Sequence, residues 1–353
     1  MSLRILVVKL SSLGDVVHTM PAVQDLRAAH PDARIDWVVE SAFVPLVERC
    51  DGVGRVIACD LRRWRKSLWS GNTRREWSVF KAALRQVPYD YVIDLQGLTK
   101  SALVAWLART TPSGRRIAMA NQTEGSGFEA PTRWVADSTI RLEPHVHAVQ
   151  RSRLLCAAAL GYAVKGPAEF GLRPAAGALS RAVAIPVQPR LGSNPFVPRK
   201  PVVALVHGTS RADKEWPVSS WVALGQRLNH SGFCVALAHG TKAELATSRT
   251  IAAALDDAWV WPLMALDALV DTMAVCAGVV GVDSGLSHIA VALGLPHVQI
   301  YNFDTAWRTG PGVGVVGNRA TVDKQVSVFA TPQPELNAVW HAWEALETPV
   351  FSR

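Results

Sequence analysis

Four segments of the chain join residues able to do chemistry to the ends of apolar runs. The first is Lys9-Leu10-Ser11-Ser12-Leu13-Gly14-Asp15, where aliphatic residues give way to small ones. Small residues let backbone N–H groups approach a ligand closely, and Asp15 stands near a helix start. A carboxylate placed there can accept a proton from a substrate; it can equally cap the helix. His18 follows, and a lone histidine is more often packed than catalytic.

The second segment, Arg62-Arg63-Trp64-Arg65-Lys66-Ser67-Leu68-Trp69 continued by Arg74-Arg75, interleaves basic and aromatic residues in an expected loop. Arginine forks bind phosphates and acidic sugars, and such a block also suits an anionic lipid surface or a solvated basic turn. No recognised nucleic-acid module surrounds it. The third, His207-Gly208-Thr209-Ser210-Arg211-Ala212-Asp213-Lys214-Glu215-Trp216-Pro217, sets hydroxyls and a lysine before a proline-started helix. That arrangement suits phosphate oxygens, although the spacing is not that of a P-loop and an ordinary capped loop is the alternative. The fourth, Gly281-Val282-Asp283-Ser284-Gly285-Leu286-Ser287-His288, marks a strand running into a helix. Free N–H groups at that helix start would stabilise a diphosphate, with His288 able to face the same anion.

Gly312-Val313-Gly314-Val315-Val316-Gly317 has dinucleotide-binding spacing, but it lacks a following helix pattern and the later acidic residue. Asp-x-Asp is absent from the chain, so a divalent cation bridging a diphosphate has no obvious ligand pair. No metal ion or cofactor is expected.

The elements that must position these segments follow one grammar. Strands are expected at residues 4–9, 35–39, 55–57, 91–95 and 116–119, with helices near 20–29, 75–86, 100–109 and 147–160. Such alternation implies a mostly parallel sheet with helices on both faces. A stretch rich in Pro, Gly and Ala over 165–200 reads as an interdomain connection. The grammar restarts with strands at 202–206, 234–238, 278–282 and 297–301, and with helices at 219–229 and 242–255. Two doubly wound halves would hold ligands at the carboxyl ends of strands, in a cleft between them. A final amphipathic stretch covers 335–346.

At 353 residues, 49% hydrophobic and 19% charged, the chain has material for two cores and little disorder. The net charge of +8 points to anionic partners, with nucleic acid, a membrane surface and a phosphorylated substrate all open on charge alone. Five scattered cysteines form no metal or disulfide pattern and fit a reducing compartment. The opening apolar run is too short for a signal-peptide core, and no run of roughly 18 apolar residues follows. A cytoplasmic protein without membrane spans is therefore expected.

Taken jointly, in order and spacing, the segments resemble the ADP-heptose:lipopolysaccharide heptosyltransferases of glycosyltransferase family 9. The resemblance runs nearly end to end, from VKLSSLGDVVHTMPA at 8–22 through the RRWRK block and Asp94-Leu95-Gln96-Gly97-Leu98-Thr99-Lys100-Ser101. It continues in His147-Ala148-Val149-Gln150-Arg151, Leu160-Gly161-Tyr162, residues 209–217 and residues 283–288. The RRWRK block and the Asp94–Ser101 segment resemble the type I enzymes more than types II and III.

The resemblance implies an α/β, GT-B fold: two Rossmann-like doubly wound domains facing across a cleft. It implies an acceptor-binding domain at 1–172, a linker at 173–200 and a nucleotide-sugar domain at 201–333. A C-terminal helix at 334–353 could pack back on either half, with the first domain taken as its expected seat. The implied reaction is inverting transfer of L-glycero-D-manno-heptose from ADP-heptose to the inner Kdo of Kdo2-lipid A. It would take place on the cytoplasmic face of the inner membrane of a Gram-negative bacterium, with the protein peripheral to that membrane.

By the same resemblance Asp15 is the catalytic base. Donor contacts fall on Thr209, Ser210, Lys214, Glu244, Met264, Asp283, Ser284, Gly285, Leu286 and His288. Acceptor contacts fall on Ser12, Gly14, His18, Arg62, Arg63, Lys66, Lys100 and Gln122. Two departures stand out: Ser210 replaces the family's usual threonine, and the arginine expected shortly after Gln122-Thr123 is missing. The rival readings are types II and III acting on a heptosylated core, a nicotinamide-dependent oxidoreductase, and a basic adaptor for membrane or nucleic acid.

Overall fold

The computed structural model describes residues 2–67, 69–178, 200–311 and 324–346. The chain divides into two compact units, Met1–Leu172 and Arg173–Arg353. Most of the expected linker and the glycine motif at 312–317 lie outside the described residues.

Unit one is built on six strands: β1 Arg4–Val8, β2 Arg34–Glu40, β3 Val53–Cys59, β4 Tyr89–Asp94, β5 Thr110–Met119 and β6 Ser138–Ile140. They pair in parallel in the order β3-β2-β1-β4-β5-β6. β1 is buried on both faces, which is why Ile5, Leu6, Val7 and Val8 form an unbroken apolar run rather than an alternating one. The order reverses between β1 and β4, and crevices for ligands open at the carboxyl ends of such a pair.

The helix after β1 runs Leu13–Ala29, starting well before the position expected from the pattern. Pro21 lies inside it and removes one backbone donor; burial of Val16, Val17, Met20, Val23 and Leu26 offsets that loss. Asp15 accordingly lies in the helix's first turn.

Unit two repeats the plan with β7 Val202–Val206, β8 Cys234–Leu237, β9 Ala258–Val260, β10 Gly278–Val282, β11 His297–Tyr301 and β12 Gln325–Phe329. The order is β12-β11-β10-β7-β8-β9, again all parallel, and it reverses between β7 and β10.

The C-terminal helix Leu336–Glu344 corrects an expectation. It packs on unit two, where Val339 and Trp343 are buried in one cluster with Val203, Val280 and Val298. Its Trp343 ring fills the space above Gly278, so closely that a Cβ there would lie 2.6 Å from the ring. A tryptophan facing a strand glycine is a fit that an amphipathic pattern alone does not specify. All five cysteines are buried and free.

Candidate active site

In unit one, parallel strands deliver polar side chains to one edge of the sheet. Lys9 directly follows β1, while β2 ends in Glu40 and β4 in Asp94. Lys9 is buried and donates to the Leu95 carbonyl at 2.9 Å. Asp94 accepts from the backbone N–H of Gln96 at 2.9 Å and Gly97 at 3.1 Å, and from the Ser101 hydroxyl at 2.9 Å. Burial nevertheless pushes its carboxyl up to about 6. Gln96 returns the connection: its Oε1 accepts from the N–H groups of Leu10 and Ser11, both at 3.1 Å. The loops after β1 and β4 are thereby tied into one platform.

Asp15 sits on that platform with 34% of its side chain exposed. Its Oδ2 accepts from the Ser12 hydroxyl at 3.0 Å and the Ser12 N–H at 3.2 Å. Its Oδ1 lies 3.6 Å from Lys9 Nζ and 3.5 Å from Arg151 Nη2. Burial by itself raises the pKa of this carboxyl. The charges of Lys9 and Arg151 and the two Ser12 hydrogen bonds outweigh burial together, and hold it down to about 2. Burial lowers the pKa of the Lys9 ammonium in turn.

Beside it, Arg62 and Lys100 converge on two common acceptors. Ser11 Oγ accepts from Lys100 Nζ at 2.8 Å and from Arg62 Nη2 at 3.1 Å. Glu40 pairs with Arg62 at 3.2 Å and with Lys100 at 3.3 Å. Lys9, Arg151, Arg62 and Lys100 thus gather around Asp15, Glu40 and Asp94, a set that leaves positive charge for an anionic ligand.

The remaining acceptor expectations divide. Ser12 and Gly14 flank Asp15, as their order in the chain requires. His18 is buried, with its ring 6.2 Å from that of His147 in an edge-on contact. Arg63 turns instead to Glu76 and Asp60, at 2.6 and 2.8 Å. Gln122 is exposed and donates to the Ser126 carbonyl at 3.0 Å, while Lys66 is exposed on the basic block.

In unit two the segments after β7, β8, β9 and β10, loops and the helix starts they lead into, emerge at one edge of the sheet and carry Thr209–Lys214, Glu244, Met264 and Asp283–His288 respectively. Asp283 is the hub. It receives Lys214 Nζ on Oδ2, with His288 Nε2 at 3.3 Å and the Thr309 hydroxyl at 3.4 Å on Oδ1. The Thr209 hydroxyl donates to the Asp283 carbonyl at 3.3 Å. Burial raises the Asp283 carboxyl, but hydrogen bonding and charge from His288 and Lys214 hold it well below the usual carboxylate range. A carboxylate repels phosphate, so the geometry suits Asp283 to orienting Lys214 and His288 rather than to touching an anion itself.

The helix Gly285–Ala292 starts at the same place, with Leu286 half-buried in its first turn. Ser284 Oγ is shielded there without a hydrogen-bond partner among the described residues, and its hydroxyl could donate to a ligand oxygen. Asn302 braces the third segment by donating to the carbonyls of Asp213 at 3.0 Å and Glu215 at 2.9 Å. Ser210 is exposed beside it. Glu244 caps its own helix, accepting from the N–H of Gly240 at 2.6 Å and of Thr241 at 3.1 Å. Its carboxylate overlies Gly208, where any Cβ would meet it at 2.8 Å. Met264 is half-buried, with its sulfur 3.6 Å from the Thr272 hydroxyl.

The model of glycosyltransferase family 9 (heptosyltransferase) matches residues 77–331, taking in the loop after β4 with Asp94 and the whole unit-two set, while Lys9–Asp15, Glu40 and Arg62 precede it. The chain belongs to glycosyltransferase family 9. It is 35% identical over 304 residues to lipopolysaccharide heptosyltransferase 1 of Pseudomonas aeruginosa, covering 85% of this chain and 78% of that one. Against the Escherichia coli K12 enzyme of the same name, identity is 36% over 300 residues, covering 85% and 88%. The solved structure of E. coli heptosyltransferase WaaC with ADP superposes with a TM-score of 0.80 at 30% identity, covering 97% of this chain and 99% of that one. The protein is accordingly a glycosyltransferase of GT-B fold.

Lys9, Ser11, Glu40, Asp94, Gln96, Arg151 and Thr309 complete the two sets, although they were not among the expected site residues. A charged residue closing an apolar strand was the available signal for Lys9 and Glu40. Arg151 and Asp94 stood inside segments already marked by the resemblance.

Proposed function

We propose that this glycosyltransferase moves L-glycero-D-manno-heptose from ADP-heptose to the inner Kdo of Kdo2-lipid A, with inversion at the anomeric carbon. The observation that carries the reading is Asp15: an ionised, partly exposed carboxylate at the β1/β4 reversal, surrounded by cations that suit an acidic sugar. A carboxylate held near 2 is a weak base toward a free hydroxyl. Two effects favour transfer. The hydroxyl becomes acidic as it bonds to an oxocarbenium-like carbon, and a bound acceptor expels water, strengthening the burial that already raises Asp15.

On the donor side, departing ADP gathers negative charge. Lys214, His288, the hydroxyls of Thr209, Ser210 and Ser284, and the start of the helix Gly285–Ala292 are the groups proposed to stabilise it. This chemistry draws on no metal ion or cofactor. Glu244 and Met264 are assigned to the nucleoside, and Arg62, Lys66 and Lys100 to the anionic acceptor. Because the acceptor is lipid-linked, the reaction is placed at the cytoplasmic face of the inner membrane. No described helix is long and apolar enough to cross one.

The test is product analysis. Incubated with ADP-heptose, the purified protein is expected to add one heptose to Kdo2-lipid A, to release ADP and to leave an already heptosylated core unmodified. Transfer to the heptosylated core alone would move the assignment to types II or III. Transfer to neither would refute it.

A further inference from the structure

The sheet of unit one has a second polar edge, where its strands begin. A cavity of about 490 Å³ opens there, with Arg4, Arg34, Asp36, Arg55, Gln86 and Tyr89 in its lining. It shares no residue with the Asp15 platform. β1 starts at the cavity with Arg4, and its five residues set the platform roughly 16 Å away.

Part of this lining is closed on itself. Arg55 gives Nε and Nη2 to Asp36 Oδ2 at 3.1 and 2.7 Å, and Nη2 also to the Tyr89 hydroxyl at 2.7 Å. Its Nη1 donates to the Ala83 carbonyl at 3.2 Å and to Gln86 Oε1. The Tyr89 hydroxyl donates in turn to Asp36 Oδ2 at 2.7 Å. All the N–H groups of Arg55 are thereby engaged, and its charge offsets that of Asp36.

Arg4 and Arg34 are different. They are partners in the parallel register of β1 and β2, so their side chains leave the same face of the sheet, on strands about 4.8 Å apart. Among the described residues, neither guanidinium has a hydrogen bond or an ion pair. The nearby carboxylates are held elsewhere: Asp36 by Arg55, and Asp90 by the Arg4 N–H at 2.9 Å and the Thr111 hydroxyl at 3.0 Å. Like charges in one cross-strand pair repel each other, and an anion seated between them turns that repulsion into attraction.

We propose that this cavity is an anion site separate from the transfer site, and that its ligand is a phosphate dianion, free or as the head of a small phosphate ester. Each guanidinium presents parallel N–H donors, and the oxygens of one phosphate can accept from both forks at once. A carboxylate has two oxygens, enough for one fork. The volume lies in the range of small-molecule pockets and leaves room beyond the phosphate. Gln86 and Asp36 line that room and offer an amide donor and a carboxylate oxygen to the hydroxyls of an ester. Binding at this edge depends on neither the donor nor the acceptor proposed above.

Calorimetry on the full-length protein tests it, in phosphate-free buffer of low ionic strength with saturating ADP to fill the set in unit two. The probes are inorganic phosphate and glycerol 2-phosphate, with glycerol as the uncharged control. Both anions are expected to bind saturably and glycerol not at all; the tighter anion assigns the site to free phosphate or to an ester. An Arg4→Gln, Arg34→Gln double variant is expected to bind them about tenfold or more weakly, since each substitution deletes a charged donor. Arg34 is exposed, so Arg34→Gln alone keeps the fold and is expected to weaken binding severalfold with ADP affinity unaltered. Lys100→Gln, on the platform, is expected to keep the equivalent that the arginine variants lose. Absence of saturable phosphate binding, or equal binding by the wild type and both arginine variants, would overturn the proposal. So would a phosphate equivalent that survives in the arginine variants and disappears in Lys100→Gln, which moves the anion to the platform.

Discussion

Asp15 shares its Oδ1 edge between Lys9 and Arg151, and this sharing sets its basicity. Replacing Arg151 by Met removes one of the charges holding the carboxyl near 2, so its pKa must rise toward the ordinary 3.8. Transfer requires the ionised form. The acid limb of kcat/KM is therefore expected to move upward, by roughly one pH unit for the loss of one such partner. A pH–rate profile with an unmoved acid limb would disprove the coupling. On the donor side, Lys214→Met deletes a charged donor, and ADP binding measured by calorimetry is expected to weaken roughly 10- to 100-fold. Unchanged affinity would remove Lys214 from the donor set. The position of Asp15 near a helix start was legible in the sequence, but the residues alone fit a helix cap as well as a base, and the role of base came from the resemblance. The partnership of Asp15 with Arg151 was not legible, since only the sheet and the helix Ala148–Leu160 bring the two residues together.

Strands buried on both faces announced themselves: β7, β10 and β11 fall where uninterrupted apolar runs placed them. The three strands with no expected counterpart, β6, β9 and β12, are all at sheet edges. An edge strand is paired on one side only, and β6 and β9 have three residues each, too few for a period to show. Two predictions belong to this scale. Gly278→Ala drives a Cβ into the Trp343 ring and is expected to destabilise unit two by about 1–3 kcal/mol, read as a lowered urea midpoint. An unaltered midpoint would mean that the C-terminal helix is loosely held. On β11, burial lowers His297 from 6.5 to about 4, while its Nδ1 bonds the Val279 carbonyl at 3.0 Å. Between those values the unfolded chain binds a proton that the folded chain does not, so stability falls as pH drops from about 6.5 to about 4. The loss approaches about 3 kcal/mol at the low end. His297→Asn should flatten this dependence in urea titrations at pH 7 and pH 4.5; an equally steep loss in the variant would place its origin elsewhere.

At the scale of the whole chain, one topology occurs twice, and each copy carries its polar set at the reversal of strand order. The repeated strand–helix grammar and the proline-rich break made both copies legible. The seat of the C-terminal helix was hidden, because an amphipathic stretch states that it has an apolar face without naming the surface that face meets. Two units of this kind divide the labour proposed for them: unit one accepts a proton and unit two holds a nucleoside diphosphate. Asp15→Asn addresses that division most directly, because it keeps the shape of the side chain and removes its basicity. With ADP-heptose and Kdo2-lipid A the variant is expected to turn over roughly 10²–10⁴ times more slowly while binding ADP as the wild type does. Turnover within a few-fold of the wild type would contradict the account.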